Sequence, residues 1–329
     1  MNTKEELVKI IKNDFYKRKI LVIGDLMVDE YVTGKVGRIS PEAPVPVLDY
    51  EEKKRQAGGA CNVANNLSSL GAKVYISGVA SNDSAGVWLR DYLDQLNIDT
   101  SCIADEEERP TTLKTRYAVK GQQLLRVDTE ERKCISKATQ DRIFRYIQEL
   151  IEEIDAVILS DYSKGVLGNP EFVKKIIALC NENKVIVTID SKSKNIYAFE
   201  NANFVKPNNL ELEEAVGIII KDEDSFNLAG EKYLTMSGAK ALIVTRGSKG
   251  ISVFEPGKKR EDYPARNVQV FDVCGAGDTV ISTFTMCICS GFLIGEAVKL
   301  ANLAAGVVIS RVGTAKVTNK ELIDSIYEK

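Results

Sequence analysis

The feature that most constrains the fold is a rhythm of short apolar runs alternating with helical stretches. Residues 74–79 read as a strand, 86–96 as a helix and 101–104 as a strand. After a helix over 137–151 the unit repeats with a strand at 156–159, a helix at 171–183 and a strand at 185–189. Strand–helix–strand crossovers bring each strand back parallel to the last, so the pattern predicts a mainly parallel sheet with helices on its faces. Residues 19–24 read as a first buried strand ahead of these units. In such sheets ligands gather beyond the carboxyl ends of the strands.

The rhythm breaks twice. Over about 31–50 the chain turns extended and is punctuated by Pro41, Pro44 and Pro46, and over 111–128 two alternating segments flank Gly121 as in a hairpin. Proline confines strands to edges, and glycine permits the tight turn. The two segments are expected to form a small β-strand lid inserted into a single domain spanning 1–329. With 329 residues the chain is long enough for one large core.

Composition removes several classes of function. A net charge of -3 and the absence of a long basic block argue against nucleic acid and membrane surfaces as partners. The chain has no histidine, which eliminates Ser-His and Cys-His nucleophile pairs and most zinc sites. Seven cysteines without a C-x-x-C pair read as reduced thiols. The N-terminal stretch mixes Lys and Glu around a Thr3–Glu6 capping box and lacks the apolar region of a signal peptide, so a cytoplasmic location is expected. The uncharged run 279–295 carries Ser282, Thr283, Thr285 and Ser290 and reads as buried core.

The chemistry is expected at Gly275-Ala276-Gly277-Asp278. Two glycines let the backbone bring bare N–H groups to a ligand at the start of an apolar helix, which makes a seat for an anion. A carboxylate at the same place suits a general base that takes a hydroxyl proton while the amides stabilise a transferring phosphoryl group. Asp25, at the end of the first strand with Asp29 four residues on, reads either as an acceptor for sugar hydroxyls or as a surface loop carboxylate. Asn62 reads either as a contact to such a hydroxyl or as a helix-entry residue, Asn208 as a ligand or a helix cap, and Thr245 and Gly247 as phosphate contacts or a hairpin turn. Lys164 stands in a polar loop after a strand, where a phosphate can be received. A dinucleotide fingerprint is missing, because Gly24 is followed by Asp25-Leu26-Met27.

Taken in order, Gly58-Gly59-Ala60-Cys61-Asn62, Asn208-Asn209-Leu210-Glu211 and Asp272 through Asp278 resemble the signatures of the ribokinase-like (PfkB) carbohydrate kinase family. The resemblance runs from about Lys19 onward and implies an α/β fold: a three-layer α/β/α sandwich with a β-strand lid. It implies ATP and Mg²⁺ as cofactors. Asp278 would be the base, Gly275, Ala276 and Gly277 the anion hole, and Asn208, Asn209, Leu210 and Glu211 neighbours of the triphosphate, Glu211 ordering Mg²⁺ through water. Thr245 and Gly247 would line the nucleotide and Asn302 would lie beside adenine, while Asp25, Asp29, Gly58, Gly59 and Asn62 would hold the sugar. A monovalent cation near Asp272 and a homodimer formed through lid strands are further family expectations. Cys274 stands where relatives often have Thr.

Longer stretches, among them Gly37 through Val47, Lys114-Thr115-Arg116, Gln122 through Asp128 and Ser160 through Gly165, resemble one branch of the family. Its members phosphorylate the anomeric hydroxyl of D-glycero-D-manno-heptose 7-phosphate to give the 1,7-bisphosphate. A phosphorylated substrate needs cations, and Lys114, Arg116, Arg126, Lys164 and Lys192 are the candidates. The alternative within the fold is a kinase of ribose, fructose 6-phosphate or a nucleoside. Some relatives carry a C-terminal nucleotidyltransferase domain; the kinase part alone is expected here.

Overall fold

The computed structural model describes residues 2–106, 108–311, 313 and 315–328. The chain enters through helix α1 (Lys4–Asp14), opened by the Thr3–Glu6 capping box, and passes into strand β1 (Lys19–Gly24). Two long strands follow, β2 (Leu26–Ile39) and β3 (Pro46–Gly59), and lead into α2 (Ala60–Ser69). Then come β4 (Lys73–Val79), α3 (Ser84–Gln95), β5 (Asp99–Ala104), β6 (Thr112–Val119) and β7 (Gln122–Thr129). The second half runs α4 (Lys137–Leu150), β8 (Ala156–Asp161), α5 (Pro170–Glu182), β9 (Ile186–Ser191), β10 (Phe204–Val205), α6 (Asn209–Val216) and α7 (Glu223–Ser237). It closes with β11 (Leu242–Thr245), β12 (Ile251–Phe254), β13 (Glu261–Tyr263), α8 (Ala276–Cys289), α9 (Ile294–Ile309) and α10 (Asn319–Tyr327).

The strands make two sheets. The nine-stranded sheet has the order β13-β12-β11-β10-β9-β8-β1-β4-β5, parallel from β11 through β5, with β12 and β13 antiparallel at one edge. Alternate residues of its central strands feed opposite cores. Ile20, Val22, Ala156 and Ile158 pack with α1, α2, α3, α8, α9 and α10, whereas Leu21, Ile23, Val157 and Leu159 pack with α4, α5, α6 and α7. A strand buried on both faces reads as an unbroken apolar run, which is why 19–24 was legible.

The second sheet, β3-β2-β6-β7, is the lid. Its strands are longer than expected: β2 starts at Leu26, directly after β1, and β3 continues to Gly59. Pro41 and Pro44 lie in the connection between β2 and β3, and Pro46 opens β3, so the prolines mark the tip of the lid. The run 279–295 is interrupted at Gly291, whose φ of 86° ends α8. Helix α7 had no counterpart in the sequence reading, and no helix among the described residues is long and apolar enough to cross a membrane.

The sheet's order turns at β1, with β8 on one side and β4 on the other, so the loops after β1 and β8 border one crevice. Gly24 seals this junction, because a Cβ there would lie 1.9 Å from the Ser160 carbonyl oxygen. Gly24→Ala is therefore expected to cost at least about 1–3 kcal/mol through overpacking. Thermal denaturation checks this, and an unchanged midpoint would contradict the close approach.

Candidate active site

Gly275, at φ 78°, turns the chain into α8, and Asp278 falls in that helix's first turn, only 6 % exposed. First-turn N–H groups have no partner within the helix, so this end carries the positive end of the dipole; the Ala276 N–H donates to the Val273 carbonyl just outside it at 3.3 Å. The carboxylate is clamped. Asn62 Nδ2 donates to Asp278 Oδ2 at 2.6 Å, and the Tyr162 hydroxyl donates to Oδ1 at 2.5 Å. Burial and the nearby Asp190 push Asp278 up to about 6, against the opposing pull of these two donors and Lys206.

Lys206 is the cation that the sequence reading missed. It is 3 % exposed, and its ammonium lies 3.0 Å from Asp190 Oδ2. A Cβ built on Gly277 would stand 3.4 Å from that ammonium and 4.0 Å from Asp190 Oδ2, so both groups face the anion seat. Burial works against the Lys206 charge, yet Asp190, Glu211 and Asp278 outweigh it and hold the group above the ordinary lysine value. One signal was available: a lysine inside the strand-like run Phe204-Val205-Lys206 is costly to bury unless paired. Asp190, at the end of β9, is its partner.

The Asn208–Glu211 pair forms a reciprocal capping box at α6, with Glu211 N–H donating to Asn208 Oδ1 at 2.9 Å and Asn208 N–H to Glu211 Oε2 at 2.8 Å. The helix-cap reading of Asn208 is the one this geometry shows. An isolated bridge pairs it with Thr245, and Gly247 beyond has open space where a side chain would project. Asn209 Oδ1 is buried without a partner, whereas Leu210 is exposed. Burial and the neighbouring Asp190 raise Glu211. Asn302, on α9, directs its amide to the carbonyls of Tyr263 and Pro264. Asp272 accepts from the N–H groups of Cys274 and Gly313.

Two of the expected sugar contacts have other work. Asp25 is 1 % exposed and accepts from the N–H groups of Tyr162, Lys164 and Val166 at 2.8, 2.9 and 3.1 Å, so its oxygens hold a loop. Asn62 directs its amide nitrogen to Asp278. Gly58 and Gly59 act through space: a Cβ on Gly58 would meet Asp29 Oδ2 at 2.3 Å, and one on Gly59 would meet the Asp25 carbonyl oxygen at 2.5 Å.

Asp29 lies on the lid and pairs with Arg116 at 2.6 Å, whose guanidinium also covers the Tyr31 ring. The Cys274 thiol is pushed up by desolvation and by Asp272, Asp29 and Asp278, while Arg116 opposes, so lid and helix mouth share one electrostatic neighbourhood. Lys114 is half buried and makes no direct ion pair among the described residues; burial and the neighbouring Lys164 pull it below the ordinary lysine value. Lys164 bonds Glu130 at 2.7 Å, and Lys192 lies 4.5 Å above the Tyr162 ring. Arg126 departs from this group. It is half exposed on β7, the edge strand of the lid, and is engaged by Asp128 on the same strand.

A base must be ionised to accept a proton, so a carboxylate at about 6 implies that kcat/KM falls roughly tenfold per pH unit below about pH 6 and levels off above it. Asp278→Asn is expected to abolish phosphoryl transfer while leaving ATP binding intact. A pH–rate profile and a nucleotide-binding titration check both points, and turnover near the parent level in that variant would remove Asp278 from the role.

Comparison with known proteins agrees with this geometry. The chain is 40 % identical over 309 residues to the bifunctional protein HldE of Helicobacter hepaticus, an alignment covering 94 % of this chain and 64 % of that protein. It is also 40 % identical to HldE of Desulfatibacillum aliphaticivorans, covering 94 % and 63 %. The chain thus spans somewhat less than two thirds of the length of these relatives. Among solved structures, Arabidopsis thaliana ribokinase complexed with ribose and ATP superposes with a TM-score of 0.76 at 18 % identity, covering 95 % of this chain and 99 % of that one. Ribokinase from Thermotoga maritima gives 0.75 at 20 % identity, covering 94 % and 100 %. These likenesses establish the ribokinase-like fold. The family profile described as pfkB family carbohydrate kinase matches residues 17–321, and the chain belongs to that family.

Proposed function

We propose that the chain is an ATP-dependent kinase that phosphorylates the anomeric hydroxyl of D-glycero-D-manno-heptose 7-phosphate, giving the 1,7-bisphosphate. The observation that carries the reaction type is the buried Asp278 carboxylate set beside the first-turn amides of α8 and the Lys206 ammonium. A hydroxyl brought to Asp278 gives up its proton as its oxygen attacks the γ-phosphorus of ATP, and the bond from that phosphorus to the β,γ-bridging oxygen breaks to release ADP. The Gly275, Ala276 and Gly277 backbone and Lys206 then stabilise charge on the transferring group. Thr245, Gly247 and Asn302 are assigned to the nucleotide.

Mg²⁺ is assigned to the Glu211 side of the seat. Asp190, Glu211 and Asp278 set three carboxylates against the single buried Lys206, which favours a cation. Bound there, Mg²⁺ would neutralise charge on the triphosphate. A monovalent cation near Asp272 is part of the same proposal.

Substrate choice is inferred from the cations at the base of the lid. Lys114 and Lys164 repel each other, and Lys114 makes no direct ion pair among the described residues, an arrangement that an anionic end of the substrate would relieve. Arg116 is assigned to the same end through Asp29, and Lys192 to the loop beside Tyr162. Exposed Val36, Ile39, Val45, Leu125 and Val127 on the lid support pairing of two copies through it, which sedimentation would test.

A coupled ADP-release screen over phosphorylated and unphosphorylated sugars tests the substrate. The heptose 7-phosphate is expected to outpace ribose and fructose 6-phosphate. Lys114→Ala and Lys164→Ala should each raise the KM for the sugar phosphate about tenfold or more while moving that for ATP far less, since a charged hydrogen bond contributes roughly 1.5–3 kcal/mol. The reverse split would discard the assignment of these lysines.

A further inference from the structure

The loop after β8 is held in place more firmly than a surface loop needs. Three of its N–H groups end on Asp25. Asp161 accepts from the Ser163 N–H at 2.7 Å and from the Ser191 hydroxyl at 2.6 Å. Ser163 is kept at φ 57°, a left-handed conformation that non-glycine residues rarely adopt, and Gly165, at φ 100°, approaches the Lys133 carbonyl so closely that a Cβ would stand 2.0 Å away. Such over-determination fixes one side chain in particular. From this loop Tyr162 reaches across the crevice to a carboxylate 116 residues further along the chain.

We propose that Tyr162 is a positioning residue for the base: its phenol, delivered by a loop that Asp25 anchors, aims the Asp278 carboxylate and supplies it with a hydrogen-bond donor. The inference rests on the assignment of Asp278 as the base. With Asn62 on one oxygen and Tyr162 on the other, the carboxylate cannot rotate, and the remaining lone pairs have fixed directions. A proton is taken only along such a direction, so the clamp decides where a substrate hydroxyl must stand.

The clamp also has an electrostatic effect. Asp278 is faced by Asp190 and Lys206 from the β9 and β10 side, by the neutral Cys274 thiol from its own turn and by Tyr162, over whose ring Lys192 lies. Burial and Asp190 disfavour the ionised carboxylate, and the phenolic donor favours it. Burial, Asp278 and Asp190 drive the phenol well above the ordinary tyrosine value, so it stays protonated and donates throughout the working range. It is not a second base.

The test uses the intact chain carrying Tyr162→Phe, which keeps the ring beneath Lys192 and removes only the donor. Losing a hydrogen bond to the ionised form is expected to raise the acid limb of kcat/KM by about one pH unit, so that activity near the foot of the limb falls roughly tenfold while the KM for ATP is unmoved. Replacing Tyr162 with 3-fluorotyrosine, a stronger donor of the same shape, is expected to move the limb the other way. Opposite displacements by the two variants support the proposal. A limb that stays in place in both, whatever happens to kcat, overturns it and leaves the ring as packing. Asp278→Asn, assayed alongside, separates the two levels: turnover retained there defeats the base itself, whereas an inactive Asp278→Asn with an unmoved Tyr162→Phe limb defeats only the role of Tyr162.

Discussion

The site depends on keeping a carboxylate charged where water cannot reach it. Asp278 lies in the first turn of α8 with another acid, Asp190, close by, and its pKa is pushed from 3.8 up to about 6. That difference corresponds to roughly 3 kcal/mol of destabilisation once the group is ionised in the folded chain. Because the folded value lies above the unfolded one, the cost is absent below about pH 4 and complete above about pH 6. The surrounding structure bears it through the Tyr162 and Asn62 donors, the Lys206 ammonium and the dipole of α8. A base held near 6 is mostly ionised at neutral pH yet retains more affinity for a proton than an exposed aspartate has.

Each of these partners arrives on a different element, and the topology explains how they meet. Asn62 is carried by α2, which follows the lid strand β3 without a break; Tyr162 follows β8, and Lys206 follows β10. Parallel strands point their carboxyl ends the same way, so β8, β9 and β10 deliver Tyr162, Asp190 and Lys206 to one edge of the sheet. Helix α8 packs across that edge with Gly275 and Gly277 at its mouth, and Gly277 lies against the Lys206–Asp190 pair. Lys206 is bracketed by Val205 and Pro207. Proline has no N–H to continue the ladder, so the strand stops there and Asn208 is free to cap α6.

What could be read from the sequence was what is local. The βαβ rhythm, the glycines before Asp278 and the three-residue spacing of Asn208 and Glu211 express backbone rules that act within one or two turns of chain, and the structure has an element or cap at each. Contacts that close the site across long separations left no such trace. Asn62 to Asp278 spans 216 residues and Tyr162 to Asp278 spans 116, and nothing in either side chain announces its partner. The anchoring of the 162–166 loop by Asp25 is a further contact of this kind. A carboxylate at the end of a strand is correctly placed for a ligand, but only three dimensions reveal that three N–H groups of the 162–166 loop have already taken its oxygens.

The charges at the base of the lid follow a related logic. Most cations near the crevice are neutralised: Arg116 by Asp29, Lys164 by Glu130 and Lys206 by Asp190. Lys114 makes no such pair among the described residues, yet it is half buried beside Lys164, and Glu130 keeps a second oxygen buried without a partner. A desolvated ammonium next to a second one is an unfavourable arrangement unless an anion visits. The Lys164–Glu130 pair also joins the end of the lid to the loop that Asp25 anchors, and that loop carries Tyr162 to Asp278. Charge at the base of the lid and the Tyr162–Asp278 contact are therefore linked through one short segment, so in the proposed reaction an anionic group on the substrate would act on both the binding end and the carboxylate.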